Sequence, residues 1–446
     1  MIPTKLERIA NEIGGELRGA PSSPTIDRVC TDSRGAAPGA LFVALKGQQT
    51  DGHRFLADAF RNGASAALIA QDHSAGLALD PAWPVIVLPD PLRGLQALAR
   101  LHRSEYFQRV LAITGSNGKT IVKDALKSLL AGRQVLASPG SYNSQLGLPL
   151  AVLSAEKPEP LVILEVGISA PGEMAALEEI ARPDYGILTN IGLAHVAAFG
   201  GREGIAQEKM TLFERLPEDG WLLLPADEPA LHAPAKKIPC PIHRIGGKNE
   251  LLSLKPVSLS ADGQVLELSV PSQDARSVTA KTRSPEIIAD LHFAATAAHL
   301  LGVPLEEIAT ALDNYAPTST RMELWSSPQG IRIINDGYSS DPISVHAALR
   351  SATLGASRSG RKMFAFAGMR ELGSNSAREH AQVGAQAAEC GFSHLFLVGN
   401  GELATTAEGY KRVRPEGNVL QVNSANELKD RLLPLLRPGD TVLFKG

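Results

Sequence analysis

The chain holds 446 residues, 44% of them apolar, and carries a net charge of −3. That is length for about three ordinary domains, with a charge balance that excludes bulk attraction to nucleic acid or to an anionic membrane. The three cysteines, Cys30, Cys240 and Cys390, are too scattered for a disulfide framework or a thiolate metal site and fit a reducing cytoplasm.

The opening MIPTKLERIANEIGGELRG has no apolar signal core and predicts a short amphipathic helix. No apolar run approaches the roughly eighteen residues of a membrane span, so a cytoplasmic protein is expected. Up to about residue 107, short strands alternate with turns: ALFVALKG (40–47), AALIA (66–70) and VIVLP (85–89), with helices over 53–64 and 91–105. From about 108 the strands become fully apolar, in VLAIT (110–114), LVILEVG (161–167) and YGILTNIG (185–192). Such strands suit a parallel sheet covered on both faces. The proline-rich stretch 225–247 predicts loop; LKPVSL and GQVLELSV then alternate like a small antiparallel excursion, and a helix over 287–302 closes the region. Beyond 317, MFAFAG, HLFLVG, NVLQV and TVLFKG are separated by helices, the rhythm of a second βαβ domain of doubly wound type. The expected architecture is α/β in three domains. These are a small mixed α/β domain (1–107), a central phosphate-loop domain with a mostly parallel sheet (108–316), and a C-terminal Rossmann-like domain (317–446).

LAITGSNGKTIVKDALKSLL (111–130) carries the strongest chemical signal. An apolar strand ends at Thr114, and from Thr120 the residues Ile121, Val122, Ala125, Leu126, Leu129 and Leu130 follow helical spacing. The glycines therefore sit at a strand-to-helix turn, where backbone N–H groups and the helix N-terminus face an anion. Gly115 and Gly118 let the backbone approach, Lys119 can reach the β/γ-phosphates, and Thr120 can ligate Mg²⁺. Position 113, where the general phosphate-loop pattern has its first glycine, is isoleucine; the loop is the shorter T-G-x-x-G-K-T form.

Other residues divide between chemical and bland readings. Glu165 ends the strand LVILE, where a sheet delivers either a second Mg²⁺ ligand or a solvated acid. His195 follows a strand in ILTNIGLAH, and by spacing alone such a histidine is more often structural or exposed than a ligand. Lys209 reads as a helix-face lysine. NDGYSSDP (335–342) is a turn rich in helix-capping residues, in which Asp336 and Tyr338 can either meet a nucleotide or simply cap. Arg321 is a phosphate arginine or a surface charge. Arg34, Lys46 and His53 cluster on loops that can hold an anionic substrate, although solvated loops are commoner.

Taken together these stretches resemble the Mur ligase family, the ATP-dependent amide-forming enzymes of peptidoglycan precursor synthesis, over essentially the whole chain. TDSRGAAPGALFVALKGQQTDGHRF is similar to its UDP-sugar-binding segment, and TGSNGKT to its phosphate loop. LEVG, LTNIGLAH and AQEKMTLFE follow in the family's order. SYNSQLGLPLAVL, LEVGISAPGEM, INDGYSSDPISVHAAL and AGMRELG look most like the members that add D-alanyl-D-alanine. The resemblance implies an ATP-binding loop of Thr114, Gly115, Ser116, Asn117, Gly118, Lys119 and Thr120, with Arg321, Asp336 and Tyr338 reaching ATP from the C-terminal domain. It implies two Mg²⁺ ions, one on Thr120 and Glu165, the other on His195 and a carbamylated Lys209. Asn143 would lie near the reacting acyl group, and Ser33, Arg34, Lys46 and His53 would line the UDP-sugar side.

The chain departs from the family in three places. DLHFAATAA stands where an H-N-x-x-N run contacts adenine, YSSDP replaces YNANP, and VLFKG ends where relatives continue. GISAPGEM and NIGLAH resemble versions fused to an alanine racemase, so the ligase half of a longer protein is an expectation. The implied reaction joins D-Ala-D-Ala to UDP-N-acetylmuramoyl-tripeptide through an acyl phosphate, on a monomer, with no nucleic acid and no membrane span. Its rivals are a family ligase adding a diamino acid or glutamate, and a nucleotide-dependent switch that ligates nothing.

Overall fold

A computed structural model describes all residues except 20–22, 48–49, 75–79, 81, 193–195, 261–262, 272, 317–319, 355, 358, 371 and 400–402. Three sheets carry the architecture, each covered by helices. The first has five strands, in the order Glu16–Arg18, Val85–Leu88, Ala66–Ala70, Ala40–Val43 and Arg28–Cys30. They are parallel apart from the first pair. The expected helix over 53–64 is a 3₁₀ turn, Gly52–Phe55, followed by the helix Leu56–Arg61.

The central sheet has six strands, all parallel: Ile242–Ile245, Trp221–Pro225, Tyr185–Leu188, Phe107–Thr114, Glu159–Glu165 and Val135–Ala137. Its inner strands are buried on both faces, as their unbroken apolar runs demand. The edge strand Ile242–Ile245 corrects the reading of 225–247 as loop. Pro225 ends the neighbouring strand, and the other prolines fall in 3₁₀ turns (Pro229–Leu231, Pro234–Lys237) or just ahead of Ile242–Ile245. A three-stranded antiparallel sheet, Ser253–Leu259, Gln264–Ser269 and Arg276–Ala280, precedes the helix Pro285–Leu300. That helix packs on Lys119–Leu129, the helix that follows the glycine loop.

The third sheet also has six strands, ordered Glu323–Ser326, Arg332–Asp336, Thr441–Lys445, Lys362–Phe366, Phe392–Val398 and Asn418–Val422. Only the first pair is antiparallel. Glu323–Ser326 carries no alternating apolar pattern and was not anticipated. No helix among the described residues is long and apolar enough to cross a membrane.

The first sheet is joined to the second without a linker. Asp90 caps the helix Pro91–Tyr106 by accepting from the N–H groups of Leu92 and Arg93, and Pro91 supplies the preset φ of a first helical position. The helix buries Leu95, Leu98 and Ala99 and runs directly into the strand Phe107–Thr114. Asp184 locks the junction: its carboxylate accepts from Val110 N–H at 2.8 Å, Arg103 at 3.1 Å and Arg109 at 2.9 Å. Asp184→Ala leaves the Val110 N–H without its acceptor and takes the carboxylate from Arg103 and Arg109, and should lower stability by about 2–3 kcal/mol. A urea unfolding midpoint indistinguishable from the parent's would show that the junction does not depend on this carboxylate.

Candidate active site

The glycine loop crosses from the end of the strand Phe107–Thr114 to the first residue of the helix Lys119–Leu129. Gly115 has φ +143° and Gly118 φ +82°, where L side chains are strained. Space forbids them too: a Cβ on Gly115 would lie 1.9 Å from Thr189 Oγ1, and one on Gly118 would lie 2.1 Å from Asp290 Oδ1. The segment after the neighbouring strand pins the loop. Asn117 N–H donates to Asn190 Oδ1 at 3.0 Å, Ser116 N–H to the Asn190 carbonyl at 3.0 Å, and Gly192 N–H to Ser116 Oγ at 2.7 Å. The result is a fixed turn opening on a helix N-terminus, whose first-turn N–H groups have no intrahelical partner.

Two lysines converge on this loop. Lys119 Nζ donates to the carbonyls of Gly115 at 2.8 Å and Ser116 at 3.2 Å, and Lys209 Nζ to Gly115 O at 3.1 Å. Burial lowers the pKa of Lys119, with Glu165 pulling the other way. Burial and the neighbouring Lys119 charge push Lys209 well below the ordinary lysine range, favouring the neutral amine. His195 lies outside the described residues.

Beside the lysines stands a chain of oxygen donors. Glu165, at the end of its strand and buried, accepts from Thr120 Oγ1 at 2.8 Å and from Asn143 Nδ2 at 2.6 Å. Its own N–H donates to Ser138 Oγ at 3.1 Å. Thr120 Oγ1 is also 3.2 Å from Ser141 Oγ and receives Arg321 Nη2 at 3.0 Å. Thr120 and Glu165, paired hard oxygen donors at the mouth of a phosphate loop, suit Mg²⁺. Arg321 comes from the segment leading into the third sheet and stacks on the Tyr338 ring, 4.0 Å from its centroid. Asp341, which caps the helix Pro342–Thr353, accepts from Asn117 Nδ2 at 3.3 Å. Asp336 is engaged by Lys445 at 2.6 Å and by Met322 N–H at 3.1 Å.

Three clefts meet here. One of about 660 Å³ lies between the loop and Arg321, Tyr338 and Asp341. A second, about 450 Å³, runs past Lys119, Asn143 and Lys209 to Gln145, Phe199 and Leu92. A third, about 330 Å³, lies against Asn117, Gly118 and the helix Pro285–Leu300. The remaining sequence candidates lie elsewhere. Ser33 and His53 are buried; His53 donates from Nδ1 to Asp51 at 2.6 Å and accepts Ala70 N–H on Nε2 at 2.9 Å, so both ring nitrogens are engaged. Arg34 is exposed and paired with Asp32, and Lys46 is exposed. None of the four lines the three clefts.

Sequence reading passed over Thr189, Asn190, Lys123 and Asp290. Lys123 is buried, with Nζ 2.9 Å from the Ser138 carbonyl, and anchors the segment that carries Ser141 and Asn143. Asp290 left the only visible trace: an acid inside the otherwise apolar IIADL of a buried helix.

Comparison with known proteins places the whole chain among ligases. Residues 25–106 match the model of the Mur ligase family catalytic domain, 113–284 the Mur ligase middle domain, and 320–446 the Mur ligase glutamate ligase domain. The UDP-N-acetylmuramoyl-tripeptide--D-alanyl-D-alanine ligase of Bacillus subtilis is 32% identical, aligned over 100% of this chain and 96% of its own length. The crystal structure of MurF from Acinetobacter baumannii superposes with a TM-score of 0.86 at 25% identity, covering 100% of this chain and 96% of that one. MurF ligase from Thermotoga maritima, solved in complex with ADP, superposes at 0.80 with 25% identity, covering 94% and 93%. Whatever anion the loop takes, Gly118→Ala should weaken it by about tenfold or more, since the new methyl meets Asp290 at a positive φ. Calorimetric titration with ATP tests this; affinity within twofold of the parent would mean the loop tolerates a Cβ.

Proposed function

This chain belongs to the Mur ligase family, and we propose that it joins D-alanyl-D-alanine to UDP-N-acetylmuramoyl-tripeptide with ATP, in peptidoglycan precursor synthesis. The observation that carries the reading is the run Asn143–Glu165–Thr120–Arg321 beside the glycine loop, two hydrogen bonds of which hold Glu165 at the sheet edge. That run puts an oxygen-donor site, a positive charge and an amide at one junction of two clefts. The function is divided among 1–107 for the UDP-sugar, with Ser33, Arg34, Lys46 and His53 on that side, 108–316 for ATP and ligation, and 317–446 for closure. Cytoplasmic location and a monomeric state complete the proposal.

The tripeptide's terminal carboxylate attacks the γ-phosphorus of ATP in line, the bond to the bridging oxygen breaks, and ADP leaves an acyl phosphate behind. The amine of D-Ala-D-Ala then attacks the acyl carbon, loses a proton, and expels inorganic phosphate. Lys119 and Arg321 neutralise charge on the transferring phosphoryl, where most of the catalytic benefit lies. The loop N–H groups hold the phosphates, Asn143 orients the acyl group, and Asp336 and Tyr338 meet the nucleotide from the C-terminal side. Thr120 and Glu165 would hold one Mg²⁺, and His195 with a carbamylated Lys209 the second; the ions would supply further charge stabilisation to the phosphoryl oxygens. An ammonium cannot ligate a cation, but the buried, deprotonation-prone amine of Lys209 is the form that adds CO₂ and so becomes an anionic oxygen ligand.

Phosphate should be released from ATP only when UDP-N-acetylmuramoyl-tripeptide and D-Ala-D-Ala are both present, with a pentapeptide product by mass. Lys119→Ala should abolish that turnover while leaving binding of the UDP-substrate within about twofold. Phosphate release indifferent to the dipeptide would discard the ligase reading in favour of a nucleotide switch. With ¹³C-bicarbonate, a carbamate carbon resonance should appear and be missing from Lys209→Arg; a spectrum identical in both proteins would rule the carbamate out.

A further inference from the structure

A smaller cavity, of about 40 Å³, opens apart from the glycine loop, where the antiparallel sheet and the start of the helix Pro285–Leu300 meet the third sheet. Lys281, Arg283 and Ser284 line it from one side. Arg332, on the strand Arg332–Asp336, and Ser351, on the helix Pro342–Thr353, line it from the other. No acidic side chain among the described residues lines it. Arg332 and Ser351 each carry a buried polar atom, Nη1 and Oγ, with no hydrogen-bond partner among the described residues. Ser351 as a whole is only 4% exposed.

Arg332 is the anomaly. Its Nη2 reaches the Leu354 carbonyl at 3.3 Å, yet among the described residues no carboxylate pairs with it. Burial, and after it the nearby Arg283 charge, lower its pKa. Arg283 itself donates from Nη2 to the Ser260 carbonyl at 2.8 Å. Glu286, two residues beyond Ser284, faces the nucleotide-side cleft instead and is held by Ser284 Oγ at 2.8 Å and Arg350 Nη2 at 3.4 Å. Like charges brought together away from water are unfavourable unless an anion lies between them. Water can satisfy a hydroxyl and an N–H, but it leaves the charge uncompensated. A water needs roughly 10–15 Å³ on this measure, so the cavity has room for about three, or for one tetrahedral oxyanion in their place. An anion with several oxygens is what guanidinium N–H donors and a hydroxyl serve best.

We propose that this cavity is a separate anion site, taking one inorganic phosphate or a like tetrahedral oxyanion between Arg332, Ser351, Arg283 and Lys281. The ion bridges the third sheet to the segment ahead of the helix Pro285–Leu300, and so strengthens their contact. The site shares no lining residue with the glycine loop and stands whether or not the chain ligates anything. Selenate, a tetrahedral oxyanion whose selenium scatters anomalously, is the probe. Crystals of the full chain soaked in it should show an anomalous peak within hydrogen-bond reach of Arg332 Nη1 and Ser351 Oγ. Peak height over a series of concentrations reads this site apart from the glycine loop. The affinity should fall by about tenfold or more in Arg332→Gln and by about fivefold in Ser351→Ala. In solution, in halide-free buffer, selenate should raise the parent's unfolding midpoint more than that of either variant; any rise from the glycine loop is common to all three. An empty cavity in the parent, or a peak from bromide but not from selenate, overturns the proposal. A peak without the difference in solution is an adventitious ion only, and overturns it too. Variants destabilised equally with and without selenate would make Arg332 and Ser351 structural residues and also overturn it.

Discussion

Ile113 pairs with Glu165 on one side and with Ile187 on the other, all three strands running parallel. That register is the constraint on which the site depends. It puts the Glu165 carboxylate and the Thr189–Asn190 segment on opposite flanks of Gly115, at the carboxyl edge where the chain turns into a helix. Side chains in a strand alternate faces, so a slip of one residue would turn Glu165 into the core and carry Thr189 off the loop. The buried apolar strands that fix the register are therefore doing two jobs, forming a core and aligning polar ends.

The polar ends carry an electrostatic burden that a core alone would not tolerate. Lys119 and Lys209 share one carbonyl acceptor, Lys123 is buried beneath the adjacent loop, and Glu165 and Asp290 are buried acids nearby. Charge in such a place lowers stability unless paired or neutralised. The protein uses each remedy in turn: Glu165 is held by two donors, Lys123 by backbone carbonyls, while Lys209 and Asp290 are driven toward their neutral forms. A loop with Lys119 in it and Arg321 beside it is matched to a polyphosphate.

What the sequence made legible follows the range of the physics. The glycine loop could be read because its flanks are local: an apolar strand, two glycines and a helical repeat lie within twenty consecutive residues. Glu165 could be suspected because strand ends are where parallel sheets present side chains. Asn190, Lys123 and Asp290 could not be placed, because each is defined by a partner 15 or more residues away: Asn117, the Ser138 carbonyl, Gly118. Ile242–Ile245 was hidden by prolines that in fact skirt the strand. Glu323–Ser326 pairs at an edge and needs no apolar alternation. In the first region, residue type suggested an anion site, yet His53 spends both ring nitrogens on Asp51 and Ala70. A histidine so engaged shapes the loop that other groups would use to meet a substrate.

Arg321 shows why the C-terminal sheet belongs to the same site rather than to a separate module. Its guanidinium is presented flat by Tyr338, a stacking that leaves the in-plane N–H donors free to point forward, and one of them reaches Thr120. Asp341 makes a second crossing, since the carboxylate that caps the helix Pro342–Thr353 also receives Asn117 of the loop. Both contacts end on the phosphate loop and neither on the rigid outer faces of the domains. Whatever displaces Thr120 or Asn117 must therefore be felt by the C-terminal sheet. Conversely, any movement of that sheet withdraws Arg321 from Thr120. Arg321 and Asp341 thus tie the C-terminal sheet directly to the glycine loop and its helix, so that the position of the one constrains the other.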